Sequence, residues 1–418
     1  MHIAIIGAGI AGVTTAYELA EGGHTVTVFE RHGSVAEEAS FANAGVIAPG
    51  LVTPWRAPYW SSLFFARDGA AQRLKWPLSS ADLAWLRHHR RNGNSTVYAL
   101  AQAAMQRLAT YSRARLHRIS ERLDYTFDRA EGVLILLRSE RERERMQPDL
   151  ARLSEADVPC HEVSADEARE IEPALHPATP LAGAIHIPDG EACNCRQFAV
   201  IVRDAAEQKG AQFIFNADVA GLDRSRPACL WIAGEAQPRG FDAVVLCAGV
   251  AANDLLAPLG LRLPLVPVYG YSVSAPVADP ALAPHAAVID GQVAITRLGQ
   301  RVRVAGLGEI GGRHGNASAR VTALPAWAER RLYRTLTDWF PAAARLTNGV
   351  QVWRGARPML PDGPPVLGAS GLPGLWFNFG HGDYGWAMAC GAARVVTDLL
   401  EGHMPEIDLQ GLGPARFR

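Results

Sequence analysis

Three glycines and an acid carry the clearest chemistry in this sequence. Gly7, Gly9 and Gly12 are spaced G-x-G-x-x-G, and Glu30 stands 18 residues after the last of them. That spacing suits a dinucleotide: a tight turn, close approach of a pyrophosphate, close helix–strand packing, and an acid for ribose hydroxyls. The flanking elements must hold these groups in place. Ile3 to Ile6 is a short β-branched run that predicts a buried parallel strand. After Ile10, a helix-forming stretch runs from Ala11 to Ala20 and is stopped by Gly22 and Gly23. Its N-terminus offers unpaired N–H groups and a positive dipole end to phosphates. Thr25 to Phe29 predicts a second strand, with Glu30 and Arg31 at its end. A lone glycine triple is weak evidence, but here strand, helix, second strand and acid all agree. An ordinary βαβ unit would leave Glu30 unexplained.

A second glycine-rich turn lies near the other end. Leu375 to Phe379 reads as a strand, followed by Gly380-His381-Gly382-Asp383-Tyr384-Gly385-Trp386 and a helix to Leu400. Asp242 to Leu246 reads as another strand, ending in the small residues Cys247-Ala248-Gly249, where ligands bind at strand ends. Of six cysteines, only Cys193-x-Cys195 is close-spaced, and no second pair or histidine cluster completes a metal site. No metal is expected.

The chain has 418 residues, too many for one simple core, so two domains are the default. A formal net charge of −1 gives no overall attraction to nucleic acid. The start lacks a basic, cleavable leader, and no run of 18 apolar residues spans a membrane. The expected placement is cytosolic or peripheral.

Residues 34 to 80 form a long connection, too long to be idle. Its first part, Ser40-Phe41-Ala42-Asn43-Ala44-Gly45, is small and polar and suits approach to a flat ring. Its second part is aromatic and basic, with Trp55, Arg56, Tyr59, Trp60, Phe64, Phe65, Arg67, Arg73, Lys75 and Trp76. That mixture suits a membrane interface or quinone site, or a surface segment packed on the body. Residues 81 to 122 read as helical, with Trp85, Leu86, Leu100, Met105, Leu108, Leu116 and Ile119 toward a core. Gly132 to Leu137 is a strand, and Arg138 to Arg145 a solvated helix start. A strand ends at His186 to Pro188. Phe198 to Lys209 is a helix, and Gln212 to Phe215 a strand returning to the nucleotide sheet. Val266 to Val273, Val288 to Thr296 and Arg301 to Ala305 predict an antiparallel sheet, and Ala323 to Trp339 a helix.

At this point the chain resembles, essentially end to end, the flavin-dependent D-amino-acid dehydrogenases of the bacterial small-subunit type, within the D-amino-acid oxidase and glycine oxidase superfamily. The matching stretches are GAGIAG, SFANAGVIAPGLVTPW, VYGYSV, VAITRLGQRVRVAGLGEI, RPMLPDGPPVLG and GHGDYGWAMACG. The resemblance implies an α/β and α+β fold: a discontinuous Rossmann-like FAD-binding domain and a substrate domain with a large, mainly antiparallel sheet. The FAD-binding segments would be 1–82, 193–258 and 345–418, and the substrate segments 83–192 and 259–344.

The resemblance also implies roles. Gly7, Gly9, Gly12 and Glu30, with Ile10, Ala11 and Arg31, would hold the ADP half of FAD. Ser40, Asn43, Ala44 and Gly45 would face the isoalloxazine, and Val219, in the strand-like Ala217 to Gly221, would pair with adenine. Ala248 and Gly249 join this set. Gly380, His381, Gly382, Gly385 and Trp386 would line the flavin edge. Arg357 matches the arginine that binds the substrate carboxylate, and Tyr271 its partner tyrosine, with Tyr269 the alternative. An arginine fork suits a carboxylate because it binds bidentately in fixed geometry. The implied reaction is hydride transfer from substrate Cα to flavin N5, with hydrolysis of the imine to a 2-oxo acid and ammonia, and electrons passed to a quinone or other acceptor. No catalytic base is required if the amine is neutral, and His381 reads better as a flavin contact than as a base.

One place departs from the family motif GHGTLGW: Asp383-Tyr384 replaces Thr-Leu. An acid there would disfavour a negatively charged reduced ring unless turned away or paired, or it could face the substrate. A cyclic imino acid such as D-proline or a hydroxyproline, or glycine or sarcosine, stays open as substrate. So do an NAD-dependent enzyme sharing only the first thirty residues, a catalytically silent FAD-binding subunit, and assembly into an oligomer or hetero-complex.

Overall fold

The computed structural model describes residues 1–55, 72–92, 95–124, 127–155, 159–312 and 319–417. Arg56, Tyr59, Trp60, Phe64, Phe65 and Arg67 lie outside these described residues. The strand His2–Ile6 sits in the middle of a six-stranded sheet, parallel to Thr25–Glu30 on one side and Ala243–Leu246 on the other. Its apolar run is continuous because both faces are covered: Ile3, Ala4 and Ile5 are fully buried. Gln212–Phe215 extends the sheet beside Thr25–Glu30, and Leu375–Phe379 beside Ala243–Leu246. Val366–Ala369 closes one edge antiparallel.

Helices Ile10–Glu21, Cys195–Gln208 and Gly385–Glu401 cover one face, and the long helix Ser95–Leu123 packs outside Gly385–Glu401. A small sheet of Val219–Leu222, Cys229–Ile232 and Arg239–Gly240 covers the other face with the short helix Ala252–Leu256. The helices are bound by a buried acid. Glu18, on Ile10–Glu21 and fully buried, accepts two 2.7 Å hydrogen bonds from Arg115 on Ser95–Leu123 and pairs with Arg394 on Gly385–Glu401 at 3.5 Å.

The second sheet is larger, eleven strands among the described residues, and mainly antiparallel. Its core runs Gln351–Met359, Val266–Pro276, Arg301–Gly311, Val293–Leu298, Ala287–Asp290, Arg129–Leu137 and Gly183–Cys193. Helix Ala326–Trp339 packs on one face, burying Leu332, Leu336 and Trp339. Among the described residues no helix is long and apolar enough to cross a membrane.

Several local expectations need correction. The helical stretch 81 to 122 is two helices, Ser80–Asn92 and Ser95–Leu123, and Leu100 is 58% exposed rather than core. Val288 to Thr296 is two strands that reverse at Gly291. The strand reaching His186 runs on through Pro188 to Cys193, with a register shift opposite Glu131–Val133. Arg138 is not solvated like the helix it precedes: it pairs with Asp290 and Asp338 and lies 4.8 Å over Trp339. The sheets also cut the chain differently from the segments above. Val46–Ile47 and Gln72–Lys75, within 1–82, and Gln351–Met359, within 345–418, all belong to the large sheet.

Glu18→Ala removes the shared partner of two half-buried guanidinium groups. Loss of one side of such a pair costs roughly 3–5 kcal/mol. Urea denaturation at matched flavin content should show a loss of that order, while Glu21→Ala, at the partly exposed end of the same helix where its partners Arg122 and Lys209 reach solvent, should cost less.

Candidate active site

The carboxyl ends of His2–Ile6, Thr25–Glu30, Ala243–Leu246 and Leu375–Phe379 open onto one cavity of about 1040 Å³. It begins at Glu30, Arg31, Asp218 and Val219 and passes Gly7, Gly9, Ile10 and Ala11. It continues along Ser40, Asn43, Ala44, Gly45, Ala248 and Gly249, and ends at Arg357 and the turn from Gly380 to Trp386. Gly12 lies behind its wall. A Cβ at Gly12 would sit 1.9 Å from the Gly7 carbonyl oxygen, and Gly7 itself has φ +100°. Only glycine fits either place, so the helix is seated directly on the turn. No side chain caps the helix at Gly9, and the Ile10 N–H donates to Ser40 Oγ at 3.1 Å. Glu30 is buried; its carboxylate accepts from the N–H groups of Ala8 at 2.7 Å and His32 at 2.9 Å.

The loop through Asn43, Ala44 and Gly45 joins the two sheets. Arg303 Nη1 donates to the Asn43 carbonyl at 3.1 Å, Thr296 Oγ1 to that of Ala44 at 3.0 Å, and the Cys193 N–H to that of Gly45 at 2.8 Å. Burial pushes the Arg303 guanidinium down to about 10. Cys193 and Cys195 are buried free thiols with raised pKa values, Cys195 up to about 12 through desolvation, so neither offers a ready thiolate.

At the C-terminal turn, burial pushes the His381 pKa down to about 4. The ring is therefore neutral at physiological pH and faces a desolvation cost on protonation. Its Nε2, Asn378 Oδ1 and Trp386 Nε1 are buried without a protein partner among the described residues, and all three residues line the cavity. Asn378 was not anticipated from sequence.

Arg357 is carried on Gln351–Met359, a strand that sequence reading missed because Gly355 and Pro358 interrupt its pattern. Its side chain crosses the neighbouring strand Val266–Pro276 at Gly270. A Cβ there would lie 2.2 Å from Nη2 and 2.5 Å from Cζ, so Gly270 is the bed on which the guanidinium rests. A glycine inside a strand pattern signals such an approach, and that signal was available in VYGYSV. Beyond Gly270, Nη1 donates to the Leu307 carbonyl at 2.8 Å and Nη2 to that of Gly306 at 3.4 Å. Asp383 Oδ1 lies 2.9 Å from Nη1.

The two tyrosines expected beside Arg357 are not brought to it. Register pairs Val268 with Arg357 and Tyr269 with Ala356, so Tyr269 and Tyr271 point from the opposite face. Tyr271 is buried and donates to Glu309 at 2.9 Å, and Tyr269 lines a separate cavity with Trp85 and Asn253. The tyrosines that do line the cavity among the described residues are Tyr98 and Tyr384, the latter raised to about 12 by burial and the nearby Asp383 carboxylate.

These residues fit FAD. The uncapped helix end and the glycine cradle suit a pyrophosphate, Glu30 retains lone pairs for ribose hydroxyls, and the orphaned polar atoms around Gly380–Trp386 suit a polar ring edge. Glu30→Ala should lose charge-assisted hydrogen bonds worth about 1.5–3 kcal/mol each. The variant should purify largely free of flavin, read as visible absorbance relative to protein; full occupancy at unchanged affinity would refute the assignment.

Comparison with known proteins agrees with this geometry. A family model described as FAD dependent oxidoreductase (DAO) matches residues 2–399. A D-amino acid dehydrogenase of Cereibacter sphaeroides is 37% identical, covering 100% of this chain and 95% of that protein. One from Rhizobium rhizogenes is 36% identical over 100% of both. Glycine oxidase from Geobacillus kaustophilus shares the fold, with a TM-score of 0.73 at 22% identity over 98% and 97% of the two chains. The family model over residues 2–399 and these full-length relatives show that the chain belongs to the FAD dependent oxidoreductase (DAO) family.

Proposed function

We propose that the enzyme oxidatively deaminates D-amino acids to 2-oxo acids and ammonia. The observation that carries this reading is Arg357. It is a guanidinium fixed on a glycine bed by two backbone carbonyls, lining the same cavity as the flavin-binding turn. Such a fork binds an α-carboxylate in fixed geometry and so sets the position of the adjoining Cα. FAD supplies the oxidant when bound, accepting hydride from that carbon. The protein's own residues orient and exclude. Neutral His381 does not compete for the carboxylate, and Tyr384 closes the wall beside Asp383. Water hydrolyses the released imine. The curated relatives named D-amino acid dehydrogenase support the substrate class.

The direct test is anaerobic bleaching of the holoenzyme by a panel of D-amino acids, with L-enantiomers as controls. No bleaching by any D-amino acid would remove the reading. Arg357→Lys keeps the charge but loses the planar fork. It should therefore lower kcat as well as raise KM, because Cα drifts once the clamp is gone. A change in KM alone would show that Arg357 supplies affinity but not alignment.

For electron disposal we propose a quinone or another acceptor in place of oxygen, at a peripheral membrane position. Trp76, 66% exposed, beside Lys75 supports this. Reduced enzyme should reoxidise slowly in air and quickly with a soluble quinone; rapid stoichiometric peroxide formation would identify an oxidase instead.

A further inference from the structure

We propose that Asp383 is the contact for the substrate's amine, so that the site reads both ends of an α-amino acid at once. This rests on the reading of Arg357 as the carboxylate anchor. The hydrogen-bond count at Arg357 leads to it. A guanidinium has five N–H donors in a fixed fork. Nη1 donates to the Leu307 carbonyl at 2.8 Å and Nη2 to the Gly306 carbonyl at 3.4 Å, while Asp383 Oδ1 lies 2.9 Å from Nη1 as an ion pair. Nε–H has no hydrogen-bonded protein acceptor among the described residues and Nη2 keeps one N–H, so the Nε–Nη2 edge still has donors to offer. That edge matches a carboxylate bidentately.

Asp383 also keeps an unspent oxygen. Oδ1 faces Arg357, and Oδ2 makes no hydrogen bond among the described residues. The two side chains are 23% and 25% exposed, and both line the cavity. A cation and an anion 2.9 Å apart, each with a free hydrogen-bonding edge, complement a carboxylate and an amine joined through one carbon. An N–H on the amine donates to Oδ2 while the carboxylate takes the edge of Arg357. Two exclusions follow. A substrate with a second carboxylate meets Asp383 as a like charge, and an amine with no N–H in its neutral form has nothing to donate. The favoured class is α-amino acids bearing a primary or secondary amine, cyclic amines included, without an acidic side chain. If Asp383 served only to brace Arg357, neither exclusion would follow.

Asp383→Asn separates the two roles. Its amide oxygen can still accept from Arg357 Nη1, so bracing survives while the charge is lost. Two dissociation constants are measured: that of propionate, which has a carboxylate but no amine, by perturbation of the oxidised flavin spectrum, and that of D-alanine, from the concentration dependence of anaerobic bleaching. The expected shifts have opposite signs. Propionate should bind about tenfold tighter, because it no longer shares Arg357 with an anion, and D-alanine about tenfold weaker, because its amine loses a charged acceptor. D-aspartate should bleach the variant faster than the wild type. Asp383→Thr, which restores the residue of the resembling motif, should shift each constant in the direction that Asp383→Asn does, propionate tighter and D-alanine weaker, and serves if the asparagine variant folds poorly. Shifts of the same sign for propionate and D-alanine would overturn the amine contact while leaving the D-amino-acid reading intact. Failure of the wild-type enzyme to bleach with any D-amino acid would overturn both.

Discussion

Position 12 has room for a hydrogen and nothing more. A side chain there would overlap the Gly7 carbonyl, so the first helix lies directly on the turn that precedes it. The pyrophosphate site, the direction of the helix dipole and the spacing between the helix and the central strand all follow from that one contact. Glu30 reinforces it from the side. Its carboxylate holds the Ala8 N–H, so the acid that suits a ribose also braces the turn. Binding chemistry and packing are the same atoms here, so Gly7 and Gly12 leave no room for a larger side chain.

The substrate end obeys a similar rule with different parts. A long, flexible arginine becomes a precise anchor only if its rotamers are removed. The structure does this by leaving Gly270 bare, so the guanidinium lies flat across a strand, and by ending it on two carbonyls beyond. The loop through Asn43, Ala44 and Gly45 then sets the distance between the two ends. Its three carbonyls are held by the large sheet, while Ser40 holds the helix of the nucleotide sheet.

Much of this was legible in the sequence. The glycine spacing, the acid and the strand-ending turns at Cys247 and Gly380 placed the cofactor half, because phosphate binding needs backbone features that leave local traces. The large sheet was legible as alternating strands, but its face assignments were not. Tyr271 and Tyr269 read as site residues by their place in VYGYSV, yet only the register against Gln351–Met359 decides that they turn from Arg357. The strand of Arg357 itself was hidden by Gly355 and Pro358. Pro358 is tolerated opposite Pro267, a rung where neither residue has an N–H to donate. The Asp383–Arg357 pair joins residues from two separate stretches, and local pattern alone could show that an acid was present but not what it faced.

The strand order of the nucleotide sheet has a consequence for how this protein comes into being. The central strand His2–Ile6 is made first, but its neighbour Ala243–Leu246 follows some 240 residues later, and Leu375–Phe379 later still. At translation rates of about 5–20 residues per second, the first strand waits roughly 12–48 s for Ala243–Leu246, and the sheet roughly 19–75 s for Leu375–Phe379. Until Ala243–Leu246 has been made, the apolar run Ile3 to Ile6 has at least one edge without its partner. The cofactor cradle, though encoded in the first thirty residues, has no floor until Cys247 and Gly380 arrive. The cradle is therefore complete only once both ends of the chain have been made.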